Sequence, residues 1–197
     1  THSDLLFFTN HGKAYQIKMY DIPEGKRATK GKSIMNFLSL GDGEKVTSIL
    51  PVDKETKKDA ESLTLVTQKG VAKKVAASSF SDVRRSGLIA IKLDKDDELQ
   101  SVLVTNKGDD IMLITSLGQS IRFKESDVRQ MGRSAGGVRA IKLAKGDFVV
   151  GVDKIVKGEK DSSILTLGSN GLGKKTNIKE YKTQKRGGSG IKTAKVT

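Results

Sequence analysis

The side chains best placed to do chemistry in this sequence are basic, and they return on a schedule. Lys73 with Lys74, Arg122, and Lys174 with Lys175 each follow a turn glycine (Gly70, Gly118, Gly171). Arg27 with Lys30, Arg84 with Arg85, Arg133, and Arg186 each precede a second glycine (Gly31, Gly87, Gly137, Gly190). Counting from Gly12 in the first segment, the paired glycines stand 19, 17, 19 and 19 residues apart. A single lysine pair is ordinary solvated surface. Cations recurring at equivalent places on rigid elements align instead into a stripe. Such a stripe suits a duplex phosphate backbone, where neutralising phosphates releases counterions and gives salt-dependent, sequence-tolerant affinity.

The densest stretch is Gln184-Lys185-Arg186-Gly187-Gly188-Ser189-Gly190. Its glycines permit positive φ and a close approach of backbone to phosphate, Lys185 and Arg186 supply charge, and Gln184 a neutral donor. Lys185 and Arg186 are both expected to be exposed. The chain holds six Phe, three Tyr and no Trp, too few for the stacking platforms of single-strand binders or RNA-reading sheets. Double-stranded DNA is therefore the expected partner. With no helix-turn-helix or zinc-finger spacing, backbone contact and curvature should dominate over base readout.

Other chemistries fall away on inspection. Residues 168–175, GSNGLGKK, approach a P-loop, but Lys175 stands where a magnesium-binding Ser or Thr belongs, so the segment reads as a strand turn. The two histidines, His2 and His11, make neither a metal site nor a triad. The acidic run 94–98 lacks the glycine and distal Glu of a calcium loop. Tyr15, Tyr20 and Tyr181 have no arginine and acidic cluster beside them in sequence, and Tyr15 is assigned to packing. No catalytic residue, metal site or cofactor is expected in this chain.

The stripe needs a scaffold. The 197 residues carry 36 basic and 23 acidic side chains, a net charge of +13, and this length is enough for a substantial core. Residues 157–197 alone hold 10 basic against 3 acidic side chains, or +7. With no cysteine, disulfides and thiolate metal sites are out, which fits a reducing cytosol. No signal-peptide pattern opens the chain and no apolar run is long enough to span a bilayer. A cytoplasmic protein with no membrane partner is expected.

Four segments align, at about 4–52, 61–105, 109–155 and 162–197. Each opens on an apolar run: LLFF at 5–8, LTLV at 63–66, IMLI at 111–114, ILTL at 164–167. After the second glycine come LIAIKL at 88–93, VRAIKL at 138–143 and IKTAKV at 191–196, with KSIMNFL at 32–38 as a looser copy. Alternation over such short runs predicts strands, with Ile121 and Phe123 facing one way and Arg122 and Lys124 the other. A last strand such as VTSILPV at 46–52 completes about four strands per segment. A unit of this size cannot bury its faces alone, so an all-β, propeller-like array of about four blades is expected.

The segment 184–190 resembles the glycine-rich basic box of the DNA gyrase A family. DLLFFTNHGKAYQIKMYDIP at 4–23, RATKGKSIMNFL at 27–38 and VRQMGRSAGGVRAIKL at 128–143 resemble blades of that family's C-terminal domain. The resemblance covers essentially the whole chain. It implies a β-pinwheel with strand exchange between blades, whose basic rim wraps duplex DNA and presents a second segment for strand passage during negative supercoiling. It also implies a bacterial, nucleoid-associated setting, and partners in the rest of gyrase A and in gyrase B, with ATP and magnesium used elsewhere in the holoenzyme. The family's box ordinarily precedes the first blade, whereas here it falls in the fourth segment. The family usually carries more blades, so the chain is expected to be part of a longer polypeptide or an incomplete ring. Two other functions fit the pattern: the DNA-bending C-terminal domain of the topoisomerase IV counterpart of gyrase A, and a propeller module whose positive rim binds acidic proteins.

Overall fold

The computed structural model describes residues 3–52, 62–84 and 86–195. In chain order the strands are β1 (Asp4–Thr9), β2 (Lys13–Lys18), β3 (Val46–Val52), β4 (Ser62–Thr67), β5 (Val71–Ala76), β6 (Leu88–Ile89), β7 (Leu99–Thr105), β8 (Asp110–Thr115), β9 (Gln119–Lys124), β10 (Val138–Arg139), β11 (Val149–Ile155), β12 (Ser163–Leu167), β13 (Gly173–Asn177) and β14 (Ile191–Lys192). Short 3-10 turns are the only helical elements among the described residues. Apolar runs rich in Leu, Ile, Val and Phe become β1, β4 and β8, and the alternating segments after the turn glycines become β2, β5 and β9. In β9, Ile121 and Phe123 are fully buried while Lys124 is exposed.

Three sheets have four antiparallel strands in one recurring order: β3-β1-β2-β6, β7-β4-β5-β10 and β11-β8-β9-β14. The outermost strand of each sheet comes from the following repeat, so no complete sheet coincides with one sequence repeat. The exchange is held at the turn glycines. Ala90 and Ile91 donate their backbone N–H groups to the Gly12 carbonyl (2.8 and 3.2 Å), Ala140 and Ile141 to Gly70 (2.8 and 3.3 Å), and Thr193 and Ala194 to Gly118 (2.9 and 3.3 Å). At Gly12 the φ of +72° and the Ile91 carbonyl 2.8 Å from where a Cβ would stand leave no room for a side chain.

These bonds explain a departure from the alternation pattern. Alternation predicts a strand throughout LIAIKL, but only Leu88–Ile89 pair in β6, because the backbone turns at Ala90 to reach Gly12. KSIMNFL departs further. Ile34–Asn36 form a 3-10 turn, N-capped by the Ser33 hydroxyl, and Leu38 is buried with Phe7, Tyr15 and Ile17 on its own sheet. Among the described residues, no preceding sheet offers it an edge to join.

The core lies between sheets. One cluster joins Leu6 and Phe8 of the first sheet to Leu63, Leu65, Val75 and Phe80 of the second, with Phe8 and Phe80 meeting edge to face at 5.5 Å. Another joins Val66, Ala72 and Ala140 of the second to Ile111, Ile121 and Phe123 of the third. Each large side chain buried here contributes about 1.5–3 kcal/mol, so neighbouring sheets stabilise one another. The remaining sheet has two strands, β12 and β13. Leu165 and Leu167 on it are 62% and 67% exposed, while Ile178 and Tyr181 after it are buried against Met112 and Ile155.

Candidate nucleic-acid interface

Contacts between sheets fix which edge faces out. Strands β3, β7 and β11 touch in succession. The Ser48 hydroxyl accepts the Val102 N–H at 3.0 Å, the Gln100 amide donates to the Val150 carbonyl at 3.2 Å, and the Lys154 ammonium donates to the Val104 carbonyl at 2.8 Å. These strands converge on the axis, which leaves β6, β10 and β14 at the opposite edge, the perimeter. The basic loops closing at Gly87, Gly137 and Gly190 lead into those perimeter strands, and each of these glycines lies over the second strand of the preceding sheet, against Tyr15, Ala72 and Ser120.

The perimeter segments are tied to one another. Lys92 donates its N–H to the Ala135 carbonyl (3.2 Å) and Lys142 donates to Gly188 (2.8 Å), joining each edge segment to the loop of the next repeat. Along this band Arg84, Lys92, Arg139, Lys142, Lys185, Lys192 and Lys195 are exposed, and Arg133 is half-buried. The sequence reading does not single out Lys92, Lys142 and Lys195. Their recurrence in LIAIKL, VRAIKL and IKTAKV is the signal that could have found them.

The box clamps onto the third sheet. Gln184 donates its N–H to the Arg122 carbonyl at 2.7 Å and forms a parallel bridge with Phe123, while Gly187 donates to the Ala140 carbonyl at 2.6 Å. Gly190, at φ +72°, lies so close to β9 that a Cβ would overlap the Ser120 carbonyl oxygen. Lys185 and Ser189 face solvent. Arg186 does not match its expected exposure: it is half-buried, and its guanidinium donates to the carbonyls of Asp127 (2.8 Å) and Arg139 (2.9 Å).

Three more basic residues are engaged inside the protein. Lys73, expected at a phosphate, is fully buried in β5 and its ammonium donates to the carbonyls of Gly132, Arg133 and Ala135. Burial, then the nearby Arg133 guanidinium, push it down to about 8. A side chain in this position cannot reach a ligand outside, which corrects the reading from sequence. Lys74 pairs with the Glu125 carboxylate of the next repeat, with side-chain exposures of 12% and 7%. Arg122 pairs with Asp110 at 2.7 Å and also donates to the carbonyls of Ile178 and Tyr181. The remaining candidates Arg27, Lys30, Lys174 and Lys175 are exposed, the last two on β13. Arg85 lies outside the described residues.

Sites for bond-breaking chemistry do not assemble among the described residues. Tyr15 is buried with its hydroxyl donating to Glu44 at 3.0 Å. Its phenol is pushed up to about 12 by burial and then by that carboxylate. Tyr181 is buried with its hydroxyl against that of Thr193, and Tyr20 is exposed. Residues 168–172 form the β12–β13 turn and 173–175 the start of β13, with Gly171 at φ +82° and Gly168 donating to the Leu172 carbonyl. The run 94–98 is likewise a turn, in which the Asp97 carboxylate accepts the N–H groups of Lys69 and Glu98. Among the described residues no three His, Asp or Glu side chains cluster to hold a metal, and no helix is long and apolar enough to cross a membrane.

A family model described as the DNA gyrase C-terminal domain, beta-propeller, matches residues 3–53, 61–106, 109–155 and 162–197. The chain belongs to this family. It is 54% identical over its whole length to the DNA gyrase A protein of Clostridium acetobutylicum, and 47% identical over 70% of its length to that of Haloquadratum walsbyi. It spans only 23% and 16% of those two relatives. Among solved structures it superposes on the C-terminal domain of DNA topoisomerase IV with a TM-score of 0.87 at 27% identity. On a DNA gyrase A C-terminal domain the score is 0.80 at 29% identity. Each superposition takes in 97% of this chain and 58% or 60% of the other. The all-β gyrase C-terminal pinwheel is therefore its fold, and the DNA topoisomerase family its setting.

Proposed function

We propose that this chain binds duplex DNA along its perimeter and bends it around the sheets, as the DNA-wrapping part of a gyrase A protein. The observation that carries the reading is the tied edge band, on which exposed Arg84, Lys92, Arg139, Lys142, Lys185, Lys192 and Lys195 follow one another from sheet to sheet. Arg133, Arg27, Lys30, Lys174, Lys175 and Arg85 extend the footprint. Gly187, Gly188 and Gly190 let the box lie flat enough for Lys185 and Ser189 to face a phosphate, with Gln184 and Arg186 holding it in place. Lys73, Lys74 and Arg122 support the rim from beneath.

In this reading the domain does no chemistry. Cleavage, ATP and magnesium belong to the remainder of gyrase A and to gyrase B, with which the domain works in a bacterial cytoplasm. Bending without a full wrap is the second reading, favoured by the higher TM-score against the topoisomerase IV domain.

The experiment is to titrate labelled duplexes of increasing length at several salt concentrations. Affinity should rise with length until the perimeter is filled. Its logarithm should fall linearly with log salt, at a slope of about −0.9 per phosphate neutralised. Weak, length-independent binding would contradict this reading and favour a protein-interaction module with acidic partners.

A further inference from the structure

Lys73 is a fully buried candidate cation that the proposed footprint cannot use from the surface, and its surroundings suggest another task. All three of its N–H donors are spent on one loop: the ammonium reaches the carbonyls of Gly132 (3.1 Å), Arg133 and Ala135 (3.0 Å). That loop belongs to the next repeat, about sixty residues further along the chain. At the equivalent places on the other two sheets stand Tyr15, beneath Gly87, and Ile121, beneath Gly188 and Gly190. A loop can thus rest on an uncharged side chain, and packing alone does not call for a buried cation.

The difference lies in how each loop is held. In the box, Arg186 clamps the loop from within through the carbonyls of Asp127 and Arg139. In loop 132–137 the arginine four residues before the closing glycine is Arg133, whose guanidinium makes no hydrogen bond among the described residues. Its own carbonyl is held from below by Lys73. The anchor is supplied by the sheet and the loop's arginine is left available. Among the described residues no carboxylate pairs with Lys73, and the Arg133 charge adds to its own, so the pair presents unopposed positive potential to an approaching phosphate.

We propose that the Lys73 ammonium is a positioning residue that fixes loop 132–135 and thereby aims Arg133 at the DNA backbone. This rests on the duplex-binding reading above, and the test separates the two. Lys73→Met keeps the length of the side chain and removes the donors. The three carbonyls lose their donor while a buried charge with no carboxylate partner is also removed, so the two effects oppose and the melting temperature should change little. A residue that served only to stabilise the fold would lower it.

Amide exchange should quicken at Lys92, whose N–H bonds to Ala135, and at Met131, whose N–H bonds to the Lys74 carbonyl, while β4 amides keep their protection. Duplex affinity should fall several-fold in Lys73→Met and in Arg133→Ala, and the double variant should be no weaker than either. Unchanged exchange at Lys92 and Met131 would overturn the tether. Losses that multiply in the double variant would overturn the route through Arg133. If the unmodified chain fails to bind duplex, the duplex reading falls and takes the DNA half of this inference with it, while the exchange measurement still decides the tether.

Discussion

Loop 132–137 over β5 and loop 184–190 over β9 share a backbone design and reverse its charges. Both end in a glycine at positive φ against the strand below, Gly137 over Ala72 and Gly190 over Ser120. Both are followed by a segment that donates two N–H groups to a turn glycine, Gly70 or Gly118. At the first seat the buried cation is in the sheet, Lys73, and the loop arginine is left available. At the second the sheet offers Ile121 and the loop arginine, Arg186, is spent on carbonyls. A basic residue at a repeating place in the sequence is thus buried as a support or left without an internal partner according to what lies over it. Repetition alone does not distinguish the two.

Substitution at the closing glycines should show the largest effect. Gly190→Ala drives a Cβ into the Ser120 oxygen at a φ of +72° and should cost about 3 kcal/mol or more in urea unfolding. Gly137→Ala, whose Cβ would stand 2.8 Å from the Ala72 oxygen, should cost about 2 kcal/mol. Equal losses would mean that the two seats are equally tight.

Next come the ion pairs beside each seat. Glu125→Ala strands Lys74 in a largely enclosed position and should cost about 2 kcal/mol. Asp110→Ala should cost about 1 kcal/mol, because Arg122 keeps the carbonyls of Ile178 and Tyr181. Thermal unfolding of the two variants checks the order.

Within the box, Arg186→Ala should lose about 1 kcal/mol of stability along with its two carbonyl bonds. Lys185→Ala should stay within about 0.5 kcal/mol and lower the salt slope of duplex binding by about one. An unchanged slope would take Lys185 out of the footprint.

The effect on pH dependence belongs to one seat alone. Lys73 is held near 8 in the folded chain, below its ordinary 10.5. Between those values the unfolded chain binds more protons, so its contribution to stability rises with pH across that window. Below about 8 its burial cost is fully present. Lys73→Met should erase the rise, and a parallel profile in the variant would place the titration elsewhere.

Much of the architecture is legible in the sequence because its signals are local. The apolar runs, the turn glycines and the alternation in 119–124 point directly to β8, β9 and their turn. What escapes depends on partners distant in sequence. LIAIKL stops pairing after Ile89 because Gly12 takes the next two N–H groups, and 34–36 curls because its sheet offers Phe7, Tyr15 and Ile17 to pack on. Grouping Lys73 with its neighbour Lys74 misplaces it. Set beside Tyr15 and Ile121, each three residues after a turn glycine, it falls on the buried face. Arg186 has no local signal for its place, since its acceptors lie on Asp127 and Arg139.

The central claim, that the tied perimeter wraps duplex around the sheets, is tested most directly by closing nicked plasmid with ligase in the presence of this chain and measuring linking number after the protein is stripped. The account predicts a positive shift that grows with protein concentration and diminishes in Lys185→Ala. Confirmed duplex binding with no shift in linking number would contradict wrapping and leave the domain a bender of DNA.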